Sequence, residues 1–139
     1  MVKLLIGHKG SGKTKQMIFL ANQSVDAKDG SIVFINRNHR LMLDLNHRIR
    51  VVCMEDYEHI TNSDEYIGFV YGIISSDHDI EEIYIESILK YADIQLKDLE
   101  EFLTRLDRIS QKYGPDFIVS ISVEMQELGD FIKKYKILN

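Results

Sequence analysis

Short apolar runs alternate with amphipathic stretches along the whole chain. Val2 to Ile6 is apolar apart from Lys3 and predicts a buried strand that stops at Gly7. A helix from about Gly12 to Ala27 follows, closed by the turn signal Asp29-Gly30. Ser31 to Asn36 predicts a second strand and Ile49 to Met54 a third, with a polar, basic stretch between them. Asn62 and Glu65 form a capping-box pattern, and behind it Tyr66, Phe69, Val70, Ile73 and Ile74 recur at helical spacing. Ile80 to Ile85 predicts a fourth strand. Leu99, Phe102, Leu103, Leu106, Ile109 and Tyr113 make the cleanest helical stripe, closed by Gly114-Pro115. Phe117 to Val123 predicts a strand, Glu124 to about Lys134 a last helix, and Tyr135 to Leu138 a short edge strand.

Strands that are nearly all apolar must be covered on both faces, so their alternation with helices predicts an α/β fold. The expected architecture is three-layer α/β/α with a mainly parallel sheet. At 139 residues the pattern is expected to make one domain over residues 1–139. Composition narrows the class further. With 45% hydrophobic and 28% charged residues, the chain has the balance of a globular protein, not a disordered one. No apolar run approaches the roughly 18 residues of a membrane span. Leu4 to Ile6 is too short for a signal-peptide core, so no membrane association and a cytoplasmic location are expected. A formal charge of −5 does not indicate nucleic acid as a partner.

One segment carries chemistry. Gly7-His8-Lys9-Gly10-Ser11-Gly12-Lys13-Thr14 matches GxxxxGK[ST] at every fixed position. The residue counts of this chain leave roughly 0.003 accidental matches to that pattern. The segment also follows a strand and opens a helix, as phosphate binding requires. Gly7, Gly10 and Gly12 let the backbone N–H groups approach an anion, and the helix N-terminus adds its partial positive charge. Lys13 is placed for the β- and γ-phosphates and the Thr14 hydroxyl for Mg²⁺. His8 and Lys9 are not fixed by the motif and read as loop residues, with Lys9 able to add charge near the phosphates.

On these residues the chain resembles the P-loop nucleoside-triphosphatase superfamily, over residues 2–27 by motif and elsewhere by strand–helix order. The resemblance implies ATP and Mg²⁺ as ligands and a RecA-like or nucleoside-kinase-like fold. It also implies a hydrophobic strand ending in an acidic residue of the metal shell. Ile83-Tyr84-Ile85-Glu86 fits that element at a spacing expected to put it beside the first strand, with Glu86 where the family usually has Asp. In the RecA-like branch the next residue is often a catalytic Glu; here it is Ser87, which speaks against fast hydrolysis. The same branch has a polar residue at a neighbouring strand end. Ser122 is the candidate, with Ser120 one pleat earlier. Glu81 and Glu82 are expected at the opposite end of their strand.

Four of the six arginines lie between Asn36 and Arg50. Arg37, Asn38, His39 and Arg40 come straight after the second strand, on the edge of a parallel sheet where ligands bind. They fit an anion site for a second substrate, an arginine finger reaching a neighbouring subunit, a docking patch for a partner, or a solvated, self-paired surface. Arg48 and Arg50 are expected farther off. The five histidines show no metal-ligand spacing, which speaks against zinc or iron, and the single Cys53 reads as core packing. GTP recognition by an Asn/Thr-Lys-x-Asp strand end is missing, which favours ATP. The expected function is a Mg²⁺-dependent slow ATPase or ATP-driven switch, with Lys13, Glu86 and Ser122 as the catalytic set. The alternative is a small kinase acting on an unidentified acceptor. Thymidine kinase cores are also similar in order, but no cysteine-rich zinc segment follows here.

Overall fold

The structure is a computed structural model that describes residues 1–57, 59–90 and 94–139. Its strands are β1 (Val2–Ile6), β2 (Ser31–Asn36), β3 (Arg50–Cys53), β4 (Ile80–Ile85), β5 (Asp116–Ile121) and β6 (Lys136–Ile137). Its helices are α1 (Lys13–Ala27), α2 (Ser63–Ser76) and α3 (Leu99–Tyr113). All six strands are parallel, in the order β3-β2-β4-β5-β1-β6.

The sheet separates two apolar layers because successive side chains of a strand point to opposite faces. On one face Met17, Ala21 and Val25 of α1 pack on Leu5, Ile32, Phe34, Tyr84 and Ile118. On the other, α2 and α3 cover Leu4, Ile6, Val33, Ile35, Ile83, Ile85, Phe117 and Val119. Phe34 stacks on Tyr84 with centroids 5.7 Å apart, and Tyr66 of α2 meets the edge of Phe102 of α3 at 5.7 Å. The Tyr84 hydroxyl lies 3.3 Å from Ser24 Oγ and donates to the buried Glu82 carboxylate at 3.1 Å. Burial pushes the Tyr84 phenol well above its ordinary pKa, so it stays a donor to that carboxylate.

Helix ends follow the local sequence. Asn62 Oδ1 accepts from the Glu65 N–H at 2.8 Å, but the Glu65 carboxylate closes on the N–H and hydroxyl of Thr61, one residue before the capping-box position. Those bonds lower the Glu65 pKa. Gly114 ends α3 at φ +99°, the left-handed region that glycine enters most cheaply.

Two expectations need correction. The segment after Ser122 is not a helix but two 3₁₀ turns, Met125–Glu127 and Asp130–Lys134. Leu128 and Gly129 between them are extended, and a central glycine weakens a helix this short. Nor does β4 lie beside β1, because β5 stands between them, with Leu4 opposite Val119 and Ile83 opposite Phe117. The edge strand after Tyr135 is present as β6 and pairs with β1. Asn139 extends that edge: its side-chain amide exchanges hydrogen bonds with the Ile6 N–H and C=O at 3.0 and 2.6 Å. Among the described residues no helix is long and apolar enough to cross a membrane.

Candidate functional site

The C-terminal ends of β1, β5, β4 and β2 open onto one edge, and the Gly7–Thr14 loop leaves β1 there. Gly10 and Gly12 lie at φ +86° and +88°, a backbone that other residues adopt only with strain. A side chain at Gly7 would crowd Ser11, whose Oγ would lie 2.6 Å from the added Cβ and would have to turn away. The Gly7 N–H donates to Ile121 O at 3.3 Å and ties the loop to β5. Lys13 is buried, and its ammonium donates to Gly7 O at 2.7 Å, His8 O at 2.9 Å and Ser11 Oγ at 3.3 Å. A cation is thereby held in the middle of the loop.

The start of α1 differs from its counterparts. Asp64 and Glu65 in α2, and Glu100 and Glu101 in α3, supply negative charge to their own first turns. The first turn of α1 has no acidic residue and no side-chain cap. With neither of these there, the positive dipole end of α1 is where an anion would be stabilised.

Glu86 stands at the end of β4, with its N–H bonded to Ile35 O at 3.0 Å. Although β5 intervenes between β4 and β1, Thr14 Oγ1 reaches across and donates to Glu86 Oε1 at 3.2 Å. The Ser87 hydroxyl donates to the same carboxylate oxygen. A hydroxyl and a carboxylate at this separation form an oxygen donor set suited to a hard cation. Ser87 is the one non-glycine residue at positive φ among the described residues, at +55°. Strain of this kind persists only where the surroundings impose it. Here the buried Ser120 does so, because its Oγ accepts from the Ser87 N–H at 2.7 Å. Ser120→Ala is expected to destabilise the fold by about 1–3 kcal/mol, since it orphans a buried N–H. Urea denaturation measures this, and a change below about 0.5 kcal/mol contradicts it.

Two adjoining clefts share Lys9, Thr14, Glu86 and Ser87. The first, about 430 Å³, runs along the loop past Gly10, Gly12, Lys13 and Lys15 to Ser122 just beyond β5. The second, about 260 Å³, is bounded by Asn36, Arg37, Asn38, Arg40 and Leu41. Ser122 therefore faces the loop region, whereas Ser120 is committed to Ser87. Arg37 and Arg40 are exposed and line the second cleft, with Arg37 also 3.8 Å from Glu55. Asn38 Oδ1 accepts from the Arg40 N–H at 3.0 Å and shapes the 3₁₀ turn His39–Leu41. His39 does not line the cleft. Its ring lies 3.2 Å from Cys53 Sγ and 3.2 Å from Asp56.

The remaining residues fall outside the clefts. His8 turns toward Glu124, at 3.4 Å. Arg48 pairs with Asp26 at 3.1 Å and Arg50 approaches Ser76 at 3.4 Å. Glu81 accepts from the Gly30 N–H at 2.5 Å at the far end of the sheet. Cys53 is buried; burial, then the carboxylates of Asp56 and Glu55, hold its thiol above the ordinary pKa. Spacing along the chain gave no hint that His39, Cys53 and Asp56 meet. Their grouping depends on the register that sets Asn36 opposite Cys53.

No family model matches the chain, and no curated protein matches its sequence. Among solved structures, the flagellar accessory protein FlaH from Methanocaldococcus jannaschii, of RecA-like fold, is similar, with a TM-score of 0.58 at 11% identity. The match covers 96% of this chain and 65% of FlaH, so the chain spans about two-thirds of that protein's length. At this identity the likeness shows a shared fold.

Proposed function

We propose that the chain is a P-loop protein that binds Mg·ATP at Gly7–Thr14 and turns it over slowly, acting as a slow ATPase or a nucleotide-driven switch. One observation carries the reading: a left-handed glycine loop running into an acid-free helix start, with a buried lysine ammonium at its centre. A triphosphate would replace the loop carbonyls as the acceptor of Lys13 and take the N–H groups of α1 as donors. Likeness of fold to FlaH is consistent with nucleotide binding. ATP is favoured over GTP only because the guanine-reading tetrapeptide is missing.

Thr14 and Glu86 are the residues that would hold Mg²⁺, and their 3.2 Å hydroxyl–carboxylate contact fits that donor set. Bound there, the ion supplies charge neutralisation to the phosphate oxygens. Lys13 and the loop amides stabilise the charge that develops on the γ-phosphate, and Ser122 lines the same cleft as a hydrogen-bonding group. Next to Glu86, Ser87 offers a hydroxyl already donated to that carboxylate, not a base for water. Slow turnover follows. Purified protein is expected to form ADP from Mg·ATP only slowly, and not at all with Lys13→Ala. Equal, measurable rates of ADP formation in the two proteins would overturn the site. Glu86→Gln is expected to weaken the Mg²⁺ dependence of binding about tenfold or more; an unchanged Mg²⁺ titration removes Glu86 from the metal shell.

The second cleft favours one further reading, a kinase with an anionic acceptor. Lys9, Arg37 and Arg40 converge beside Thr14 and Glu86 in about 260 Å³, room for a small anionic group next to the phosphates. In that case ADP forms only when an acceptor is added, and Arg37→Ala and Arg40→Ala raise the acceptor KM. The same arginines could instead meet a partner or a second copy; sedimentation with and without ATP separates those cases.

A further inference from the structure

A second cluster lies behind the arginine segment, where the exits of β2 and β3 run side by side. The Glu55 N–H donates to Arg37 O at 3.0 Å and ties the exits together. Each exit then makes a 3₁₀ turn, His39–Leu41 and Met54–Asp56. The turns bring His39 Nδ1 to 3.2 Å from Cys53 Sγ and 3.3 Å from Met42 Sδ. On the other side of the ring, Nε2 lies 3.2 Å from an Asp56 carboxylate oxygen. The ligand atoms of His39, Cys53 and Asp56 lie within 4.8 Å of one another.

We propose that His39 Nδ1, Cys53 Sγ and Met42 Sδ bind a thiophilic d¹⁰ cation, Cu(I), with Asp56 orienting the imidazole. A carboxylate on Nε2 holds the ring proton there and turns the Nδ1 lone pair toward the two sulfurs, the arrangement usual behind metal-bound histidine. Around a tetrahedral ion, bonds of about 2.0 Å to nitrogen and 2.3 Å to sulfur set those atoms about 3.5 Å apart. The observed 3.2 and 3.3 Å need only slight spreading. One nitrogen, one thiolate and one thioether form a soft set that selects Cu(I). Mg²⁺ and Ca²⁺ need oxygen ligands. Zinc takes Cys, His and carboxylate, so it would have to draw Asp56 off Nε2. Access comes from solvent, since His39, Met42 and Asp56 are exposed while Cys53 closes the base. On binding, the ion takes the place of the thiol proton, which leaves to solvent. Asn38 O, 3.3 Å from Cys53 Sγ, links the cluster to the segment carrying Arg37 and Arg40.

The test is an anaerobic titration of Cu(I) bicinchoninate with the reduced full chain, reading the chelator's colour. Wild type is expected to withdraw one equivalent, and His39→Ala and Cys53→Ser to withdraw none. Met42→Leu and Asp56→Asn should weaken binding about tenfold. Met125→Leu, which alters an exposed methionine outside the cluster, should match wild type. Because Cys53 is in the core, His39→Ala at the surface serves as the variant that keeps its fold, checked by circular dichroism. No copper withdrawn by wild type overturns the site. So does undiminished binding in His39→Ala, or Met42→Leu and Met125→Leu behaving alike. Zinc binding that requires Asp56 and ignores Met42 overturns the thioether donor set.

Discussion

Lys13→Ala is expected to lower affinity for Mg·ATP by roughly 10- to 150-fold, because a charged hydrogen bond of this kind contributes about 1.5–3 kcal/mol. Its three present acceptors, Gly7 O, His8 O and Ser11 Oγ, belong to a loop whose residues are mostly open to solvent. Water takes over those contacts, so the melting temperature should move by only a few degrees. Titration calorimetry on both proteins reads the loss. Unchanged affinity in a folded variant means that the triphosphate does not bind at this loop.

The largest structural effect is expected from Phe102→Ala, a loss of about 3–5 kcal/mol of stability. Phe102 is 1% exposed and its ring meets Tyr66 edge-on, so it joins α3 to α2 above the sheet. Truncation removes apolar area and leaves a cavity that the close-packed core around Tyr66 fills poorly. Against a total stability of roughly 5–15 kcal/mol, such a loss should lower the melting temperature by about 10 °C or more. Leu43→Ala is the counterpart, since Leu43 is 97% exposed and its loss should cost under about 0.5 kcal/mol. Equal effects of the two substitutions would contradict the description of the core.

What the sequence disclosed was whatever depends on neighbours along the chain. Short, nearly continuous apolar runs marked β1, β2, β4 and β5, and the stripe from Leu99 to Tyr113 marked α3, because each pattern is local to its element. The glycine loop was legible for the same reason, its residues lying within eight positions of one another. Strand order was not legible. The spacing from Gly7 to Glu86 suits a strand beside β1, yet β5 takes that place, and only long-range pairing decides between the two. The segment from Glu124 to Lys134 misled because Leu128, Phe131 and Ile132 recur at helical spacing while Gly129 breaks the turn between them. His39, Asn38 and Arg40 read as one basic unit, but a 3₁₀ turn sends the histidine to Cys53 and leaves its neighbours on the cleft. Ser87 carried a signal only by its position after Glu86; its positive φ and its bond to Ser120 come from tertiary structure.

The most direct test of the central claim is amide hydrogen exchange with and without Mg·ATP. Slowed exchange is expected at the backbone N–H groups of residues 8–15, lost with Lys13→Ala and not reproduced by AMP. Protection confined to other parts of the chain, or none at ATP concentrations that saturate binding, would contradict it.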